Sequence, residues 1–264
     1  MVRRGSLFLF PLFFFSCSLT AVQEKPTSPI IAEEVKKPPS KKEKAEGYYQ
    51  IGVAYLKMGE IPLSLNYLMK AYKLNPKDPK IPNAIGLAFL KRGDLKRAEE
   101  WLRKALSLKR DFSEAWLNLG ILYEERGELE KAREFYLKAL ENPFYLTPEV
   151  AYYRLAELAL KEGDRSSAEK YLKLALRNNP DFIPAYLALG ELLEEEGRKE
   201  EAAKLYLRLM SIYPKLQEPY CRLGELLLEK DREAGVKYLK KCISINPSSE
   251  LAAQARWRLE SVER

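Results

Sequence analysis

From residue 45 onward apolar residues return every three or four positions with lysine and glutamate between them, and no useful length alternates with period two. That spacing belongs to amphipathic helices and predicts an all-α chain without a sheet. The pattern itself also repeats. Glycine recurs at intervals of 34 in Gly52, Gly86 and Gly120, and again in Gly190 and Gly224. A second series, Gly59, Gly93, Gly127, Gly163 and Gly197, stands seven places behind the first. Self-similarity of this length predicts stacked helix-turn-helix units, none of which can bury its apolar face alone.

Taking each unit as 34 positions, the units begin at Ala45, Pro79, Ser113, Glu149, Ile183 and Gln217. Position 4 is large in Tyr48, Trp116, Tyr152, Tyr186 and Tyr220, with Pro82 the exception. Position 8 is small throughout: Gly52, Gly86, Gly120, Ala156, Gly190 and Gly224. Small residues return at position 20 (Ser64, Ala98, Ala132, Ala168, Ala202) and at position 27 (Ala71, Ala105, Ala139, Ala175). These let two antiparallel helices approach, while positions 4, 11 and 24 fill the space between them. Glycine near position 15 permits a left-handed exit from the first helix. Pro76, Pro180, Pro214 and Pro247 stop second helices, and Pro79 and Pro148 suit a first turn.

The pattern W/Y-x2-L/I-G-x2-Y followed by G, A, L/Y, A and P resembles the tetratricopeptide repeat over residues 45–247. The resemblance implies a right-handed α-solenoid of six repeats. Two irregularities interrupt it. Units three and four are spaced by 36 residues, through Asn142-Pro143-Phe144-Tyr145-Leu146-Thr147-Pro148, and the sixth unit is one residue short, with Gly235 where alanine is usual. Beyond Pro247, Ser249 is placed to cap a last helix over residues 249–263 that shields the open end.

The front of the chain differs in kind. Met1-Val2-Arg3-Arg4 is basic, and residues 6–15 are almost wholly apolar. The run falls short of the roughly 20 residues a spanning helix needs, so residues 1–16 read as a secretory signal. Ser16-Cys17 after that run resembles the bacterial lipoprotein processing box. In that family the chain is cut before the cysteine, which becomes acylated, so the resemblance implies lipidation of Cys17 and a membrane attachment through it. Phe14 and Phe15 depart from the box, which leaves ordinary cleavage with release and an unprocessed anchor as alternatives. Residues 17–44, with Pro26, Pro29, Pro38, Pro39 and a lysine-rich end, read as a disordered tether. Residues 45–264 then form the repeat domain.

Composition narrows the function further. The formal charge of +7 includes Arg3 and Arg4, and lysine and glutamate interleave along the helices, which speaks for solvated faces and against a nucleic-acid stripe. The chain has three cysteines and no histidine. A thiol nucleophile would therefore lack an imidazole base. No phosphate-cradling glycine loop or zinc-ligand spacing appears either, so a non-enzyme without cofactor, metal or small-molecule substrate is expected. With Cys17 acylated, Cys221 and Cys242 remain in an oxidising compartment, one near the start of a helix and the other near the end of its antiparallel partner. They form either a disulfide or two small buried thiols.

By the tetratricopeptide resemblance, positions 2, 5, 9 and 12 of first helices face a concave groove. This assigns Tyr49, Val53, Leu56, Asn83, Leu87, Leu90, Leu117, Ile121 and Tyr153 to an apolar strip that suits a helix or extended peptide. The last two units offer Leu187, Glu191, Glu194, Glu225 and Leu228, an acidic continuation. Lipid box, tether, six repeats opening with Tyr49-Gln50-Ile51-Gly52-Val53-Ala54-Tyr55-Leu56 and the insertion near residues 145–148 together resemble the type IV pilus biogenesis lipoproteins, the pilotins. That resemblance implies an outer-membrane protein facing the periplasm whose partner is a secretin subunit. The alternative is a general envelope adaptor that recruits cell-wall enzymes or proteases.

Overall fold

The computed structural model describes residues 38–263, and the signal segment, Cys17 and the tether before residue 38 lie outside the described residues. The unit Pro39–Arg264 has its own hydrophobic core. Among the described residues every regular element is a helix. Six pairs follow one another: α1 (Lys41–Lys57) with α2 (Ile61–Leu74), α3 (Lys80–Lys91) with α4 (Leu95–Leu108), and α5 (Ser113–Glu125) with α6 (Leu129–Leu140). Next come α7 (Pro148–Lys161) with α8 (Arg165–Asn178), α9 (Ile183–Glu195) with α10 (Lys199–Ile212), and α11 (Glu218–Leu227) with α12 (Arg232–Ile245). A single α13 (Glu250–Glu263) closes the stack, and each helix packs chiefly on its neighbours in the chain.

Turn chemistry sets the boundaries. The five glycines that end α1, α3, α5, α7 and α9 have φ between 74° and 80°, the left-handed region that a side chain resists. Asp94, Asp164 and Asp231 then cap the following helices through their carboxylates. The first helix starts earlier than the expected boundary at residue 45. Ser40 Oγ accepts from the Glu43 backbone N–H at 3.2 Å, and Glu43 Oε2 accepts from the Ser40 N–H at 2.6 Å. This reciprocal capping box nucleates one further turn, so residues 41–44 belong to the solenoid and not to the tether.

Between the helices of a pair, the side chain at position 24 enters the space above position 8. Leu68, Leu102, Tyr136, Leu172, Tyr206 and Leu239 are all fully buried there. A Cβ on Gly120 would lie 2.3 Å from Tyr136 Cε1, and one on Gly190 2.5 Å from Tyr206 Cζ. The absent Cβ is therefore part of the packing. The fourth pair places Ala156 opposite the smaller Leu172. In the shortened sixth pair the turn draws the backbones together, and a Cβ on Gly235 would meet Leu228 N at 2.8 Å and Gly224 O at 2.9 Å. That is why alanine gives way to glycine at this position.

The insertion after α6 buries Tyr145 against Ala139 and Ala151 while leaving Phe144 and Leu146 more than four-fifths exposed. At the far end, the Ala252 N–H donates to Ser249 Oγ at 3.1 Å, and Ala252, Ala255 and Leu259 bury against the last pair. Cys221 on α11 and Cys242 on α12 are bonded to each other, with Cα atoms 5.2 Å apart.

Polar clamps join successive pairs. Glu99 on α4 receives Arg126 from the turn after α5 at 2.7 Å, together with Arg103 and the Tyr123 hydroxyl. Arg133 on α6 meets Glu162, and Glu169 on α8 meets Arg198 at 2.9 Å. Burial pushes the Glu99 carboxyl up, but the hydrogen bonds from Arg103, Tyr123 and Arg126 outweigh it and hold it at about 2. Arg198 and Lys173 hold Glu169 at about 2.

Gly120→Ala is expected to lower stability by about 1–3 kcal/mol through overpacking on Tyr136. Gly47→Ala, with open space around it, should raise stability by about 0.5–1 kcal/mol. Denaturant unfolding of the two variants reads both signs. Because the native Glu99 and Glu169 carboxyls titrate below their unfolded values, their contribution is complete above about pH 4.5 and is lost as pH falls towards 2. Glu99→Gln should therefore flatten the fall in thermal midpoint across that window. Reduction should raise the intact mass by about 2 Da for the one bridge. Replacing both Cys221 and Cys242 by serine should cost about 3 kcal/mol for a loop of this length.

Candidate partner-binding groove

First helices of successive pairs meet one another directly, α1 with α3 and α3 with α5, and no two second helices approach as closely. Over the first three pairs the first helices therefore line the shorter side of the stack. Along it, Tyr49, Val53, Leu87, Leu117 and Ile121 are half-buried and rest on the main core cluster. Each keeps part of its apolar surface open. Tyr153 continues the line on α7, its ring edge-on to Phe182 with centroids 5.7 Å apart. Burial, with Glu46 and Asp78 near by, pushes the Tyr49 phenol up, and burial does the same for Tyr153 beside Glu157, so both stay neutral.

Two residues expected in the strip are not available to a partner. Leu56 is 5% exposed and Leu90 4% exposed, both within the core. The reason is visible in the units that carry glutamate at the same position. Glu124 Oε2 accepts from the Tyr136 hydroxyl at 2.6 Å, and Glu194 accepts from the Tyr206 hydroxyl. In these units position 12 faces position 24 across the pair, whereas Leu160 at position 12 of the fourth unit stays 37% exposed. The apolar strip is formed by residues at positions 5 and 9. Leu228 is buried for the same reason. Asn83 is half-buried, and its side-chain Oδ1 accepts from Asn118 Nδ2 at 3.0 Å.

The second half of the groove is not simply acidic. Arg154 pairs with Glu157 at 2.9 Å, Lys161 with Glu124, and Arg222 with Glu191. Glu157, Glu124 and Glu191 are thereby paired and Glu194 holds the Tyr206 hydroxyl, while Glu225 is exposed and has no ion pair among the described residues. Arg154 and Arg222 occupy position 6 of the fourth and sixth units, 68 residues apart. Reading only positions 2, 5, 9 and 12 passes over them, whereas position 6 read at the same period finds them. The stack thus presents an open apolar strip over its first three pairs and a mostly paired polar stretch after it.

Profiles of the tetratricopeptide repeat match residues 49–111 and 153–216, residues 89–143, and residues 218–249. The chain belongs to the tetratricopeptide-repeat family. It is a scaffold of the kind that works through protein–protein contact. The structure of pilF from Pseudomonas aeruginosa is similar, with a TM-score of 0.68 at 21% identity over 83% of this chain and 99% of that one. PilW, described as a widely conserved type IV pilus biogenesis factor, superposes with a TM-score of 0.66 at 22% identity over 80% and 97% of the two chains. YrrB, described as a TPR protein with an unusual peptide-binding site, gives 0.53 at 24% identity over 72% and 97%. At these identities the likeness establishes the fold. No curated protein sequence matches the chain.

Proposed function

We propose that this tetratricopeptide-repeat protein is a non-catalytic assembly factor of the cell envelope. In this reading Cys17 carries the lipid that holds it to the outer membrane, and the solenoid faces the periplasm. The partner is an apolar segment of a secretin subunit, which the protein escorts to the membrane and helps to multimerise. The observation that carries the reading is the strip of Tyr49, Val53, Leu87, Leu117 and Ile121, apolar, in register and only half-covered by the protein's own core. Such a strip is what a helix or an extended peptide needs for anchorage. Support for the pilus setting comes from two sides. The front of the chain resembles a lipoprotein, and pilF and PilW are matched over almost their whole length. The first three repeats are favoured as the seat of binding because their inner face is apolar, whereas the inner face beyond Tyr153 carries charges such as Arg154 with Glu157 and Arg222 with Glu191.

Leu87→Asp places an unpaired carboxylate in the strip at a half-buried position. In cells, the variant should abolish secretin multimers while the purified protein keeps its helical circular dichroism. Normal multimers with that variant would remove the groove from the mechanism. Cys17→Ser should leave the secretin interaction intact in solution but release the protein from the membrane fraction.

A further inference from the structure

Charge is distributed unevenly along the solenoid. Residues 38–91 carry nine lysines against four carboxylates, a net +5, whereas residues 92–263 carry 30 basic against 31 acidic side chains, a net −1. The pairing differs as well. Every ion pair among the described residues lies at Arg92 or beyond, and none of the nine lysines of the first segment takes part in one. Carboxylates are present near by but engaged elsewhere. Glu43 accepts the Ser40 backbone N–H, Asp78 accepts the Lys80 N–H at 3.1 Å, and Glu46 accepts from Gln50.

The fold gathers part of this free charge at one place. The start of α1 and the turn between α2 and α3 form a shallow recess lined by Lys41, Lys42, Leu74, Asn75, Lys77 and Asp78. Lys41, Lys42 and Lys77 are exposed. Lys41 and Lys42 are neighbours in a lysine-rich stretch, and antiparallel packing of α1 and α2 adds Lys77 from 35 residues further on. This is also the end of the solenoid from which the chain runs back towards Cys17.

We propose that this basic end is a docking surface for an anionic phospholipid bilayer. Lys41, Lys42 and Lys77 would lie against acidic headgroups, seating the first repeat on the membrane. The patch complements acidic headgroups in charge, and in the sequence only 23 residues separate Lys41 from Cys17, the proposed lipid attachment. To that extent the idea rests on the lipoprotein reading. The electrostatic attraction does not itself require an acyl chain. A lysine held near an acidic surface strengthens partitioning roughly five-fold, and the effect is confined to about a Debye length.

The test uses residues 18–264 without any acyl group, which contain the whole self-cored unit, and sedimentation with vesicles. One set is phosphatidylcholine alone and the other holds about 30 mol% phosphatidylglycerol, each at roughly 0.1 M and 1 M salt. Binding should appear only with the acidic vesicles at low salt. Lys41→Gln/Lys42→Gln/Lys77→Gln should weaken it on the order of 100-fold. The distal Lys237→Gln/Lys240→Gln/Lys241→Gln, which removes the same charge, should leave it nearly unchanged, both variants keeping wild-type circular dichroism. Equal binding to the two vesicle types, no binding, or equal loss in the two variants would overturn the proposal. So would retention on heparin without retention on acidic vesicles, which would reassign the patch to an acidic polymer. Failure of Cys17 acylation, read separately by mass spectrometry of membrane-extracted protein, would remove the lipoprotein reading without touching this result.

Discussion

The insertion of one large side chain into the space above a missing one holds the solenoid together. In each pair a fully buried leucine or tyrosine at position 24 lies over a glycine or alanine at position 8, so close that a Cβ opposite Tyr136 or Tyr206 would overlap the ring. This sets how near the two helices stand. Helix spacing in turn sets which faces are left for the neighbouring pairs, and therefore which side chains reach the inner surface. The small residues at positions 20 and 27 serve the same approach from the other helix.

Polar groups are distributed around that apolar frame with a division of labour. On the second helices, Glu99, Arg133 and Glu169 reach forward to the next pair and tie the stack lengthwise. Exposed surface pairs of this type contribute little each, but clamps shared by two or three donors gain from geometry. On the first helices, the glutamates of the third and fifth pairs receive tyrosine hydroxyls, and arginines from the following units neutralise the inner face. The first two pairs lack this polar furniture, with Leu56 and Leu90 at the position where the third pair carries Glu124. The inner face of the first three pairs stays apolar because Val53, Leu87, Leu117 and Ile121 have no neighbour in the chain to cover them fully. Packing thus divides along the molecule, with an open apolar face at one end and mostly paired polar groups at the other.

Much of this was legible beforehand. The 34-residue period, the left-handed glycines from Gly59 to Gly197, the insertion at residues 142–148 and the Ser249-capped last helix are all local signals, because capping and backbone conformation are decided within a few residues. The Ser40/Glu43 capping box was equally local, yet the repeat frame drew the boundary at residue 45 and concealed it. Leu56 and Leu90 were misplaced for a different reason. Their neighbour at position 24 belongs to another helix, and no count along α1 or α3 tells whether a leucine faces that neighbour or the groove.

What the chain determined on its own was the element list and the repeat: helix periodicity, stops, caps and the small residues that demand close pairing are written in neighbouring positions. The tertiary structure decided which side chains meet across pairs. Arg222 reaches Glu191 only once successive pairs stack, and Lys77 joins Lys41 and Lys42 only once α1 and α2 pack antiparallel, each bringing together residues some 30 or more places apart. Burial and charge pairing are properties of those meetings, so the extent of the open strip and the lack of ion pairs at the basic end among the described residues could be read only from the packed solenoid.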